Sequence, residues 1–180
     1  MKILKGILFA ILGIIVIALV AALFISKEIN VEKTVTINKP VEEVFDYVKM
    51  LKNQDKFSVW MQMDPNMKKT FSGTDGTVGA VAAWDSQNSE VGKGEQEIIG
   101  LEDNKRIDYE LRFIEPFEAN DEAYMLTEEV SGNQTKVVWG FHSVAGYPMN
   151  LVMKLMGMEE MLGGQLEEGL QTLKSQMEAS

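Results

Sequence analysis

The chain has no cysteine and a single histidine. The missing thiols exclude a disulfide framework, thiolate metal sites and thiol catalysis at once, and leave the redox compartment open. Also absent are Gly-x-Ser-x-Gly, a phosphate-cradling glycine loop and His-Glu-x-x-His, so hydrolase chemistry of those kinds is not expected. Low-complexity tracts are missing too, and 46% apolar with 8% aromatic residues is the composition of a chain that folds. Its 180 residues suffice for one domain of ordinary size and a short appendage, not for two comfortable domains. Positive charge is the other shortage. After residue 26 there are 15 basic against 27 acidic residues, a formal charge of −12 that repels nucleic acid.

What the chain does have begins at its N-terminus. Residues 6–26 carry no charge and are rich in Ile, Leu, Val, Ala and Phe. About 20 such residues, wound as a helix at 1.5 Å per residue, cross a hydrocarbon core of roughly 30 Å. The sequence therefore predicts a membrane-spanning helix over residues 7–25, with residues 1–26 as an anchor, residues 27–180 as a water-soluble domain and residues 26–30 as the link. Lys2 and Lys5 flank the near side, whereas Lys27 and Glu28 mix charge on the far side. This slight bias keeps the N-terminus cytoplasmic and the domain extracytoplasmic. The rival is a signal peptide cleaved near Val20-Ala21-Ala22, which would export the domain; the apolar run is longer than a usual h-region of ~7 to 15 residues.

Past the anchor, Val31, Val35 and Ile37 alternate with Glu32, Thr34 and Thr36, the pattern of a half-buried strand, and Lys33 breaks the apolar parity once. Asn38-Lys39-Pro40 closes the strand and opens a helix with Glu42 and Glu43 at its positive end. Val41, Val44, Phe45, Val48 and Leu51 give that helix one apolar face. From Met67 onward, turn residues separate five or six runs of strand character. In one, Ile107, Tyr109, Leu111 and Phe113 alternate with Arg106, Asp108, Glu110 and Arg112; in another, Val137, Trp139 and Phe141 oppose Lys136, Val138, Gly140 and His142, so His142 faces away from the interior. The C-terminal residues 148–177 change to helical spacing, and Gly163-Gly164 predicts a break near Gly163, a short helix before a long one.

The run Val35-Thr36-Ile37-Asn38-Lys39-Pro40-Val41-Glu42-Glu43-Val44-Phe45-Asp46-Tyr47-Val48, the downstream Trp60 and the terminal Gly169-Leu170-Gln171-Thr172-Leu173-Lys174 resemble the START-related (SRPBCC) superfamily, which includes polyketide cyclases and the major birch-pollen allergen. The resemblance covers residues 31–178, and its motifs specify a fold rather than a reaction. It implies an α+β helix-grip fold, a curved antiparallel sheet wrapped around the terminal helix with a deep apolar cavity between them, where family members mostly bind lipids, polyketides or other hydrophobic molecules. In this sequence the residues expected to line such a cavity are Tyr109, Leu111, Phe113, Trp139 and Phe141 from the strands and Met153, Met158, Leu162 and Leu166 from the helix.

Met149, Met153, Met156, Met158 and Met161 crowd into thirteen residues. They read either as an adaptable lid or pocket mouth or as filling for core gaps. Contact of this segment with the bilayer is set aside, because Lys154 alone opposes Glu159 and Glu160. Among candidate catalytic groups, histidine is the residue type best suited to moving protons near neutral pH, but a lone strand histidine such as His142 is more often structural. Asp108 and Glu110, flanked by Arg106 and Arg112, read as a solvated charge ladder, and Glu159, Glu160, Glu167 and Glu168 as an acidic helix face. No metal or cofactor is expected. Three functions remain: a tethered binder of a hydrophobic small molecule or lipid, which is favoured; a polyketide-cyclase-like enzyme, for which no residue marks the base; and a protein-interaction module with an unspecified partner.

Overall fold

The computed structural model describes residues 2–179; Met1 and Ser180, the outer ends of the expected anchor and domain, lie outside the described residues. The first helix, α1, runs Lys2–Ala22, and its stretch Ile3–Ala22 is long and apolar enough to cross a membrane. Of that stretch only Ala22, at its end, is buried by the rest of the chain, so the apolar surface before it is uncovered by the other described residues. The expected helix over residues 7–25 is thus displaced towards the N-terminus. Its helical hydrogen bonding stops at Ala22, and Leu23 and Phe24 complete a final turn through bonds to the Val20 and Ala21 carbonyls. The expected link is shorter too, because β1 (Glu28–Ile37) begins inside it.

The odd-numbered residues of β1 point inward and the even-numbered ones outward, as the alternation predicts. Lys33 is the exception in chemistry but not in direction. Its stem lies against Gly163 of the terminal helix and its amine reaches Glu167 at 3.1 Å. Pro40, with φ fixed at −59°, then opens α2 (Val41–Val48), which buries Val44, Phe45 and Val48. A 3-10 turn (Leu51–Asn53) and two short helices, α3 (Gln54–Phe57) and α4 (Val59–Met63), complete the crossing.

Six strands follow: β2 (Lys68–Ser72), β3 (Val81–Asp85), β4 (Lys93–Glu102), β5 (Arg106–Glu115), β6 (Ala119–Ser131) and β7 (Gln134–Val144). They form an antiparallel meander, and β1 closes it beside β7 in the order β1-β7-β6-β5-β4-β3-β2. The chain ends with α5 (Met149–Leu155) and α6 (Met158–Ala179), the latter packed across β1 and β7 and against α3 and α4.

A short helix does precede a long one, but the break is at Gly157 and not near Gly163. Gly157 has φ +66°, a left-handed conformation that ends α5 at small cost only for glycine. Gly163 and Gly164 are continuous helix, and Gly163 is buried where α6 crosses Val31 and Lys33. Its missing side chain serves close approach rather than bending.

Candidate functional site: the grip between sheet and terminal helix

Strand registers place the inward-facing residues in rows across the sheet. Leu111 is opposite Asp121 on β6 and Gln96 on β4, and Ile29 is opposite Ser143 on β7. This row lies at the end of the sheet where β1 leaves α1. The next row holds Val31, Phe141, Ala123, Tyr109 and Ile98, and the one after it Lys33, Trp139, Met125 and Ile107. Burial changes sharply along this direction. In the α1-proximal row Ser143, Asp121, Leu111 and Gln96 are half-exposed and Ile29 alone is buried; deeper in, Phe141 and Lys33 are half-buried, and Tyr109, Ile98, Met125, Ile107 and Trp139 are buried. The helix follows the same gradient, from half-exposed Met158 and Leu162 to buried Leu166, Leu170, Leu173 and Met177. The grip is therefore closed at its far end and open at a mouth beside α1.

The closed end is aromatic. Trp139 meets Phe57 edge-on at 5.6 Å and 73°, and Trp60 at 6.1 Å and 82°. Gly169 lets α6 pass over this cluster: a Cβ there would stand 2.8 Å from Cζ3 of Trp139 and 3.2 Å from the Phe57 carbonyl oxygen.

The expected lining residues divide accordingly. Tyr109, Trp139 and Leu166 belong to the main core, and Leu111, Phe141, Met153, Met158 and Leu162 pack against it half-buried around the mouth. Phe113 lies apart, edge-on to Trp84 at 6.0 Å in a second cluster with Met67 and Val91. Leu111 touches both clusters.

Polar groups in the grip are few. The Tyr109 hydroxyl is buried and makes no hydrogen bond, although the buried Gln54 side chain lies beside it. Burial pushes this phenol far above its usual pKa, against a smaller opposing effect of Gln54, so it is a neutral donor at physiological pH. At the mouth, Asp121 shares the inward parity of Ala123, Met125 and Thr127. Partial burial raises its pKa, with Ser143 and His142 opposing that shift. A cleft of about 80 Å³ opens between the Ile25–Ser26 link, the start of β1 and the two terminal helices, lined among others by Ile29, Met153, Met158 and Asn150.

The convex face holds the charged groups. Arg112 donates to Glu95 at 2.6 Å, to Glu97 at 2.8 Å and to Glu110, while Arg106 reaches Asp108 at 2.7 Å. His142 lies on this side, its Nδ1 2.7 Å from Oδ1 of Asn30, outside the grip as its parity predicts.

A family model described as polyketide cyclase / dehydrase and lipid transport matches residues 28–178. The chain belongs to this family. No curated protein sequence matches the chain. Among solved structures, a protein from Thermobifida fusca is 19% identical, with 82% of this chain and 92% of that one covered at a TM-score of 0.55. A protein from Arthrobacter aurescens is 16% identical, with 84% and 87% covered and a TM-score of 0.59. The Aha1 dimer from Colwellia psychrerythraea is 17% identical, with 83% and 96% covered and a TM-score of 0.55. At these identities the likeness shows the fold, the helix grip of the START-related superfamily.

Within the family's grip, the sequence pattern pointed to the strand aromatics but missed Phe57, Gln54 and Asp121. Phe57 and Gln54 sit in helical pieces of four residues or fewer, too short for a period to be read. Asp121 did carry a signal, since it continues the alternation of Ala123, Met125 and Thr127 towards the mouth.

Proposed function

We propose that the chain is a membrane-tethered binding protein for a lipid or another hydrophobic small molecule, with residues 1–26 as anchor and residues 27–180 as the binding domain on the extracytoplasmic side. The observation that carries this reading is the burial gradient, which leaves the half-exposed mouth of a helix grip, with Leu111, Phe141, Met158 and Leu162 at it, beside a helix fit to span a bilayer. An acyl or polyketide chain would enter past Leu111, Phe141, Met158 and Leu162, displacing the adaptable methionines rather than the aromatic floor. Tyr109 would donate to a polar atom of the ligand, and Asp121 with Ser143 would orient its head at the rim. The family's lipid-transport description supports this ligand class.

Native mass spectrometry of the detergent-extracted full-length protein tests it. A retained apolar mass, lost when Leu162→Trp fills the mouth while the fold persists by circular dichroism, is the expected result. No bound mass, together with no thermal shift on adding lipids, refutes it.

One observation favours a second reading, a cyclase-like enzyme. Asp121 is a partly desolvated carboxyl on the inner face whose pKa burial raises, the direction that suits a carboxyl to general acid–base work. Loss of turnover in Asp121→Asn with ligand binding intact would select this reading over binding alone.

A further inference from the structure

The end of α1 is not a free swivel. Asn150 Nδ2 donates to the Ala22 carbonyl at 2.8 Å and to the Ile25 carbonyl at 2.9 Å, and the Tyr147 hydroxyl donates to the Leu19 carbonyl at 3.2 Å. The Ala145 amide donates to the Lys27 carbonyl at 2.7 Å, joining the same segment to the start of the β1–β7 ladder. Asn150 and Ala22 are both buried in this joint. The helix end, α5 and the sheet thus form one hydrogen-bonded unit, and Tyr147 lies level with the last turn of α1.

This joint fixes where the rest of α5 points. Lys154 apart, its exposed residues are apolar: Met149, Val152, Leu155 and, just past its end, Met156, with Leu155 exposed to 79%. Leu23 and Phe24 beside it are exposed as well. The cation of the segment, Lys154, is held by Glu159 at 2.7 Å. An exposed apolar surface of this kind marks a contact, and here it belongs to the helix that is bonded to the last turn of the uncovered apolar α1.

We propose that α5 lies in the lipid–water interface of the bilayer that α1 spans, with Met149, Val152, Leu155 and Met156 among the acyl chains and the grip mouth held against the leaflet. The proposal rests on reading α1 as a membrane anchor. The shortage of basic residues in the segment, which counts against capture of a free amphipathic helix by anionic lipid, does not weigh here. The anchor delivers α5 to the interface, so electrostatic attraction is not needed to bring it there. Tyr147 then takes the interfacial position that tyrosine favours, its ring towards the lipid and its hydroxyl bonded.

The absence of cysteine makes the test clean, since each engineered thiol is the only label site. Full-length protein bearing a nitroxide at Ile15→Cys, Leu155→Cys or Asp103→Cys is placed in phosphatidylcholine/phosphatidylglycerol nanodiscs, and collision with oxygen and with a nickel chelate is measured. Asp103 is an exposed turn residue at the opposite end of the sheet. The expected result is a several-fold higher oxygen-to-nickel ratio at position 155 than at 103, with position 15 higher still. A buried signal at 15 with 155 matching 103 overturns the proposal and leaves the anchor standing. An aqueous signal at 15 overturns both. Exclusion of both probes at 155 means a protein contact and overturns the proposal as well.

Discussion

Alanine at position 169 adds one methyl group to the middle of α6, directly above the aromatic floor of the grip. In an open helix position this exchange is favourable by up to ~1 kcal/mol, because glycine loses more backbone freedom on folding. At Gly169 the new Cβ would stand 2.8 Å from Trp139 and 3.2 Å from a main-chain oxygen of Phe57. Neither neighbour yields easily. The indole is a rigid plate wedged between Phe57 and Trp60, and the carbonyl belongs to the backbone. Overpacking of this kind costs about 1–3 kcal/mol, so the net effect is a loss of roughly 0–2 kcal/mol once the helical gain is subtracted. Gly164, five residues earlier in the same helix, has nothing within 4 Å of its would-be Cβ, so Gly164→Ala should keep the whole gain. The two single substitutions are therefore expected to differ by about 1–3 kcal/mol in opposite senses. For a chain of this length that is a separation of very roughly 2–12 °C in melting temperature. Thermal unfolding of the full-length protein in one detergent, followed by near-ultraviolet circular dichroism of the tryptophans, reads the difference. Equal stability of the two variants would refute the close-approach argument.

Two further predictions concern charge. Because burial raises the folded-state pKa of Asp121 above its unfolded value, its ionisation opposes folding, and the cost sets in as pH rises through the unfolded pKa and is complete above the folded one. Asp121→Asn should therefore be more stable than the parent above that window and equal to it below, checked by melting temperatures from about pH 3 to pH 7. Arg112→Gln removes the cation that holds Glu95, Glu97 and Glu110 together. A loss of roughly 1 kcal/mol is expected at neutral pH, modest because these groups are partly exposed, and it should shrink at high salt; urea titrations at two salt concentrations measure it.

The fold was legible because its signals are local and repetitive. The alternation in β1, β5 and β7, the Pro40 joint and the Gly169-Leu170-Leu173 face each state a direction for a side chain, and together they identify a helix grip. What stayed hidden depends on contacts distant in sequence. The two glycines at 163 and 164 read as a break because propensity counts only backbone freedom, whereas the space at Gly163 is set by Val31 and Lys33 across the grip. Lys33 itself looked like an error of parity until its partner Glu167 was in place. The distinction between a closed floor and an open mouth rests on strand registers, which no single strand's sequence determines. Asn150, which ties the chain's first helix to its body, is an ordinary polar residue in an apolar segment, and only its burial against Ala22 reveals its task.

The two edge strands of the sheet end differently, and this bears on how copies of the chain tolerate one another. An unpaired strand edge is a template for another strand. At one border, β2 is five residues long and begins with Lys68 and Lys69, a short and charged edge. At the other, the Thr36 carbonyl of β1 is taken by the Lys174 ammonium at 2.7 Å and the Asn38 amide by Glu178 at 2.8 Å, so side chains of α6 occupy positions a foreign strand would need. Where copies of the chain meet side by side, these two guards discourage the sheet from extending into its neighbour and keep crowding from becoming aggregation.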